Sequence, residues 1–441
     1  MTVPDKTVPD KTRRPGYAPP LNPTVGRRGL HTRERILARA ADLFLQQGFH
    51  GTSIDAIAKG AGASRPTIYQ YFAGKEGIFR ELVAASEHAL LDLGDRLGRL
   101  GPDADGLRNL SRWLGEWADI YDTHAAVFAE FPGIGTAAGL SVIDVGSVAD
   151  EFRHHVTDRV RAAEPVGLQP DDAVASLTRI PHMVNLYRYR RTFPLPSRTD
   201  VSESLAIALQ LMLFPDTPVD ATGHLHPPSG ADRAEAPLPA ASPAAGAAQC
   251  ATPDLSPIGQ EVLTASSQLF AERGYYAVGM EDIAVAASIS RATLYRYFGT
   301  KHAILAEATR RAMADAERHA TALHGIADAT FDAGRFTDWM LGYVRFHRGY
   351  RGVIRAWFDG TVAEQLSAAD VEHGIGSMYQ AVAALLRRAT LPPGLDPLVA
   401  AAVFLAVLGR MTEPVPGSLD SDRRAAELMV RLLRHSLLRF D

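Results

Sequence analysis

A fixed offset of 226 residues runs through this chain of 441. The stretch Ser64-Arg65-Pro66-Thr67-Ile68-Tyr69-Gln70-Tyr71-Phe72-Ala73-Gly74-Lys75 returns as Ser290-Arg291-Ala292-Thr293-Leu294-Tyr295-Arg296-Tyr297-Phe298-Gly299-Thr300-Lys301, with order and spacing kept. Agreement reaches back to Leu37/Leu263, Phe44/Phe270 and Gly48/Gly274, and forward to Trp113/Trp339. Between 32–79 and 258–305, 15 of 48 positions are identical without a gap. Such self-similarity at constant offset marks an internal duplication. The chain reads as two versions of one protein, each of about 200 residues, the usual size for one core.

The repeated stretch has its own local logic. Ser64 suits an N-cap, and Pro66 is tolerated in a first turn, where its missing N–H has no intrahelical partner. Ile68 and Phe72 fall four apart and face a core, which leaves Arg65, Thr67, Tyr69 and Gln70 on the other side. Ala73-Gly74 ends the run. A helix this short is not stable alone, so it needs helices behind it, and its polar face is free to meet a partner.

Upstream, Ile36, Leu37, Ala40, Ala41, Leu43 and Phe44 recur at helical steps until Gly48. Ser53 then caps a short helix, Ile54 to Lys59, and Gly60-Ala61-Gly62-Ala63 makes a tight turn into the repeated stretch. A longer helix followed by two short ones joined by small residues is a helix-turn-helix.

These residues resemble the amino-terminal domain of the TetR family of transcriptional regulators. The matching pieces are Ile36, Ala41, Phe44 and Gly48, then Ile57-Ala58, Gly62, Ser64 and the run Thr67 to Phe72 with Lys75-Glu76. The resemblance covers about 50 residues in each half and implies an all-α fold. It implies two tandem units, each a three-helix DNA-binding domain followed by a helical ligand-binding and dimerisation domain. It places Arg65, Pro66, Tyr69 and Gln70 against bases and Thr67, Tyr71 and Lys75 on the phosphate backbone. In the second copy Arg291, Ala292, Tyr295 and Arg296 match the first group, and Thr293, Tyr297 and Lys301 the second. With the capping Ser53, Ser64 and Ser290 these are the candidate DNA contacts. Gln suits adenine and Arg suits guanine, so Gln70 against Arg296 predicts unlike half-sites.

The copies differ most in charge. Over 26–80, nine basic residues oppose four acidic ones, whereas over 255–306 four oppose four. Phosphate neutralisation supplies much of DNA affinity, so the second module should grip DNA more weakly. Gly279 replaces Ser53 at the cap, with Asp282 at the third helical position, where an acid complements the helix dipole. The second turn, Ala287-Ser288-Ile289, lacks a glycine.

The domain plan follows: a disordered tail over 1–28, a reading domain over 29–90 and a helical domain over 91–214. A Pro/Ala/Gly-rich linker over 215–256 leads to a second reading domain over 257–316 and a second helical domain over 317–441. Arg13, Arg14, Arg27 and Arg28 suit either a solubilising tail or an arm for the minor groove. A linker of 42 residues spans roughly 35 Å as a coil, close to the ~34 Å between groove entries one helical turn apart. It lets the halves pair within one chain without forcing them to, so an intramolecular pseudo-dimer and a homodimer of two chains both stand.

In the helical domains, Trp113, Trp117, Tyr121, His124 and Phe128 share one face, as do Trp339, Tyr343, His347, Tyr350 and Trp357. Two readings compete: an aromatic core, or, as the resemblance implies, the lining for a small apolar or aromatic ligand. His154, His155, His182 and the run Arg188 to Arg191 read as surface or capping groups. Val399 to Met411 is apolar nearly all round, which suits burial in a dimer bundle.

No GxSxG, P-loop or HExxH is present, and the single cysteine, Cys250, rules out an internal disulfide or a cysteine-held metal. The expectation is a protein without catalysis, metal or cofactor, whose partner is a double-stranded DNA operator. No apolar run reaches 18 residues and no signal-peptide core is present, so no membrane partner is expected and the cytoplasm is the expected compartment.

Overall fold

A computed structural model describes residues 27–129, 145–223, 255–357, 368–415 and 417–440. The expected tail up to position 26, Cys250 and most of the linker lie outside them, while residues 27 and 28 of that tail already belong to a helix. All regular structure among the described residues is helical. Residues up to Ser86 form one compact unit and those from Glu87 onward another, so the expected boundary at 90 falls inside a helix.

In the first unit α1 (Arg27–Gly51) precedes α2 (Ile54–Gly60), α3 (Arg65–Tyr71) and the start of α4 (Lys75–Asp95). Gly48 breaks α1 near its end with φ 70°, a left-handed conformation that glycine adopts without steric cost. The chain then folds back, and Phe44, Phe49 and Phe79 meet with ring centroids 5.2–5.5 Å apart. Ile36, Ile57, Ile68, Phe72 and Ile78 complete a core in which each is at most 2% exposed.

The second unit carries α5 (Ala104–Thr123), α6 (Ala125–Phe128), α7 (Val145–Ala163), α8 (Pro170–Arg190), α9 (Arg198–Leu213) and α10 (Val219–Gly223). The expected linker is therefore structured at its start: Gln210 Nε2 bonds Thr217 Oγ1 at 3.1 Å, and Ala221 and Thr222 are buried. The second copy follows as α11 (Pro257–Arg273), α12 (Met280–Ala286), α13 (Arg291–Phe298) and α14 (Lys301–Asp328). Then come α15 (Ala333–Gly349), α16 (Arg351–Trp357), α17 (Ala368–Leu386), α18 (Pro397–Arg410) and α19 (Asp422–Ser436).

The two helical domains repeat one plan. In the first, α5 packs on α9 and α7 on α8; in the second, α15 packs on α19 and α17 on α18. Between them α8 lies along α18, and α9 along α19 and α18. This junction is the burial that the all-round apolar α18 demands: Val399, Val403, Phe404 and Val407 are fully buried. Polar bonds seal its edges. Arg424 Nη2 donates to both carboxylate oxygens of Asp172 at 2.9 Å, Arg431 donates to the Gly167 carbonyl, and Phe193 stacks on Tyr379 at 4.8 Å.

Candidate functional site

The third helix of each module is built from a cap outward. Ser64 Oγ accepts the Thr67 N–H at 3.2 Å and shares a 2.8 Å bond with the Thr67 hydroxyl; Ser290 and Thr293 repeat this at 3.1 and 2.9 Å. Ser53 accepts from the Ala56 N–H at 3.1 Å. In the second copy Asp282 accepts from the Gly279 N–H at 2.7 Å, so its carboxylate meets the N–H of the cap residue, a different donor from the one Ser53 meets. The three serines and two threonines thus serve the helix starts themselves.

Ile68 and Leu294 are buried, which turns the opposite faces outward. Arg65, Pro66, Tyr69 and Gln70 are exposed, and Tyr71 is half-buried. Arg291, Ala292, Tyr295, Arg296 and Tyr297 are exposed, with Tyr295 at 47%. An acid on the preceding helix orients each leading arginine: Arg65 Nη1 lies 3.2 Å from Asp55 and Arg291 Nη1 3.2 Å from Glu281. Both pairs are well exposed, so they aim the side chain more than they stabilise the fold.

Lys75 and Lys301 have a task that the resemblance did not indicate. Lys75 Nζ donates to the carbonyls of Phe49 and Thr52 at 2.7 and 3.0 Å and sits 4.4 Å above the centre of the Phe49 ring. Lys301 repeats it on Tyr275 and Val278, at 2.7 Å to each carbonyl and 4.3 Å from the Tyr275 ring. Each ammonium ties the α1–α2 or α11–α12 turn to the next helix. Burial holds the Lys301 pKa below the usual lysine value.

The aromatic stripes divide. Trp113, Trp117, Tyr121 and Phe128 are buried in the first helical domain, with Trp113 Nε1 donating to Leu93 O at 2.8 Å. Trp339 Nε1 donates to His319 O at 2.9 Å in the matching place. His124 is half-buried where α5 ends, and Tyr350 packs against the core of the second reading module. His182 corrects the surface reading: it is 1% exposed, its ring 5.8 Å from that of Tyr121.

Of the ten ligand candidates, Tyr343, His347 and Trp357 line a cavity of 820 Å³ between the two helical domains. Its first-half wall comes from α7 and α8, including Phe152, Thr178, Met183 and Tyr187. Burial pushes the His347 pKa down to about 4, so the ring is neutral at pH 7, and its Nδ1 is 2.8 Å from Thr412 Oγ1. Two arginines that periodicity did not select complete the wall. Arg179 donates to the carbonyls of Arg410, Glu413 and Pro414 at 3.3, 3.0 and 2.7 Å, and burial pushes its pKa down to about 10. Arg410, 7% exposed, pairs with Glu413 at 2.6 Å. The available signal was a single charge closing the apolar run of α18.

Three helices with the last two joined by a small-residue turn, present twice, define a tandem helix-turn-helix protein. The family model for the tetR family of bacterial regulatory proteins matches residues 36–82 and 262–308. These two segments are thus TetR-type amino-terminal domains, one in each half of the chain. A stretch of 56 residues is 43% identical to the uncharacterised HTH-type transcriptional regulator YdgC of Bacillus subtilis, covering 13% of this chain and 29% of that one. Another of 62 residues is 44% identical to the HTH-type transcriptional regulator AcrR of Shigella flexneri, covering 14% and 29%. The match thus spans about three tenths of these relatives. A crystal structure of AibR in complex with isovaleryl coenzyme A and operator DNA aligns at 20% identity and TM-score 0.32, covering 42% of this chain and all of that one. No described helix is long and apolar enough to cross a membrane.

Proposed function

We propose that this chain is a ligand-responsive transcriptional repressor whose two halves act as a single-chain pseudo-dimer on an operator with unlike half-sites. The observation that carries this reading is the packing of α8 and α9 against α18 and α19 inside one chain. The bundle face that would otherwise pair two chains is filled by the other half. Solvent-facing Arg65, Tyr69 and Gln70, and Arg291, Tyr295 and Arg296, supply donors and acceptors for base edges. A ligand releases DNA only if it binds the DNA-free form better, which is the linkage required of any such switch.

The test is selection of bound DNA from a random library at physiological salt, with light scattering on the same sample. Two unlike half-sites bound by one chain of 47.6 kDa is the expected outcome. A perfect palindrome bound by two chains would overturn it. The even charge balance of the second module favours one second reading, in which only the first module reads and the second half is scaffold or sensor. The palindrome is that reading's signature.

A further inference from the structure

We propose that the cavity between the helical domains is one asymmetric binding site per chain for a ligand with an apolar or aromatic body and an anionic oxygen group. The proposal deepens the regulatory reading above and rests on it only for the consequence for DNA.

Size and lining set the body of the ligand. A volume of 820 Å³ lies within the range of small-molecule pockets, and Phe152, Met183 and Tyr187 face it from one half with Tyr343, Ile354 and Met378 from the other. The polar end is set by Arg410. Its side chain is more than nine-tenths buried, and its Nη1 bonds the Glu413 carboxylate at 2.6 Å. A guanidinium carries five N–H donors, so that one pairing leaves donors over, and on a cavity wall an occupant's oxygen can meet them.

The local charge points the same way. Arg179 and Arg410 stand together with Glu413 as the acid bonded at their position, and Arg179 spends its donors on carbonyls. Around the whole wall six arginines face four acids. Asp150 is paired with Arg153, Glu413 with Arg410, Glu272 is exposed and Asp171 is half-buried. An anion is therefore the favoured occupant.

The site does not follow the duplication. Pro170 and Pro397 open α8 and α18 at an offset of 227, which sets Met183 opposite Arg410 in the repeat. Tyr121, the counterpart of His347, is not on the wall. At this pair of positions one half supplies a thioether and the other a guanidinium, so the two sides of the cavity are not equivalent. The wall also includes Ala271 and Glu272 at the end of α11, and Arg355 Nη1 holds the Ala271 carbonyl at 2.9 Å. An occupant therefore touches the first helix of the second reading module.

Equilibrium fluorescence titration of the full chain with two dyes tests this without DNA. One is 1-anilinonaphthalene-8-sulfonate, an aromatic anion; the other is N-phenyl-1-naphthylamine, its uncharged counterpart. The expected result is one sulfonate dye per chain. Arg410→Met should weaken that dye about tenfold or more, about 1.4 kcal/mol, and leave the neutral dye within about twofold. Ala175→Trp, filling the opposite wall, should weaken both. Circular dichroism melts qualify each variant, and the wild-type stoichiometry decides even where a variant misfolds. Two equivalent sites per chain, no binding of either dye, equal weakening of both by Arg410→Met, or no effect of Ala175→Trp would each overturn the proposal. Failure here leaves the DNA selection untouched, and a failed selection leaves the dye result standing.

Discussion

The two reading modules share a frame and differ in what covers it. Both start their third helix with a serine whose hydroxyl serves the threonine three residues on, and both aim an arginine with an acid ten residues upstream. Both clamp the first turn with a lysine on two carbonyls and an aromatic face. What changes is surface charge, the residue at the left-handed turn position, and Gln70 against Arg296. The difference separates requirements of the turn, which both copies meet, from choices about the partner, which they make separately.

The largest test of the shared frame is in its core. Phe72 is 2% exposed, whereas its counterpart Phe298 is only partly buried against its cluster. Phe72→Ala should destabilise the first module by about 3–5 kcal/mol, and Phe298→Ala should cost the second clearly less. Hydrogen exchange, read separately over 27–86 and 257–316 in the full chain, measures both. Equal losses would mean that the second core is as closed as the first.

The lysine clamp comes next. Lys75→Ala and Lys301→Ala each remove charged hydrogen bonds to two carbonyls, and a hydrogen bond to a charged group is worth about 1.5–3 kcal/mol. Partial exposure places the expected loss near the lower figure, and it should be alike in both modules without DNA. If DNA affinity fell while hydrogen exchange in the free protein stayed unchanged, the lysines would be phosphate contacts as the family resemblance implies, and the clamp a minor feature.

How much of this was legible before the structure depends on the range of the interaction. The duplication is written as a constant offset; the three-helix modules and their caps are local, written in spacings of three or four residues, and Ser64, Pro66 and Gly62 sit where turn chemistry puts them. The burial of α18 was also legible, because a helix apolar all round has nowhere else to go. The cavity wall was not. Trp113, Trp117 and Tyr121 share a face with a cavity-like composition, yet that face meets its own half. The cavity arises where two halves leave a gap, and its members Met183, Tyr187 and Arg410 come together from opposite ends of the chain. Helical periodicity describes one helix at a time. Lys75 failed to reveal its clamp for the same reason, since its acceptors are backbone carbonyls 23 and 26 positions upstream.

Exchanging the surface choices tests the difference itself. The double variant Gln70→Arg with Arg296→Gln keeps every buried residue of both modules and swaps only two exposed side chains. Library selection should then return a site with its two halves interchanged, with a preference of about 1–3 kcal/mol at the affected base pair. An unchanged selected site would mean that neither position reads a base.

The smallest effect is the most local. Gly62 and Ser288 occupy equivalent turn positions with φ 58° and 53°, a region that costs a residue with a Cβ about 1 kcal/mol. A methyl at Gly62 would meet open space, so only backbone strain would oppose it. Gly62→Ala should therefore destabilise the first module by roughly 1 kcal/mol and Ser288→Gly stabilise the second by slightly less, since glycine also gains freedom when unfolded. Hydrogen exchange over the two modules again reads both. Opposite signs of similar size would show that the second copy carries its turn under strain, with the tightening of α11 to α13 supplied elsewhere, by the Asp282 cap and the Lys301 clamp. A Ser288→Gly variant no more stable than the parent would mean that the Ser288 side chain contributes locally as much as its backbone costs.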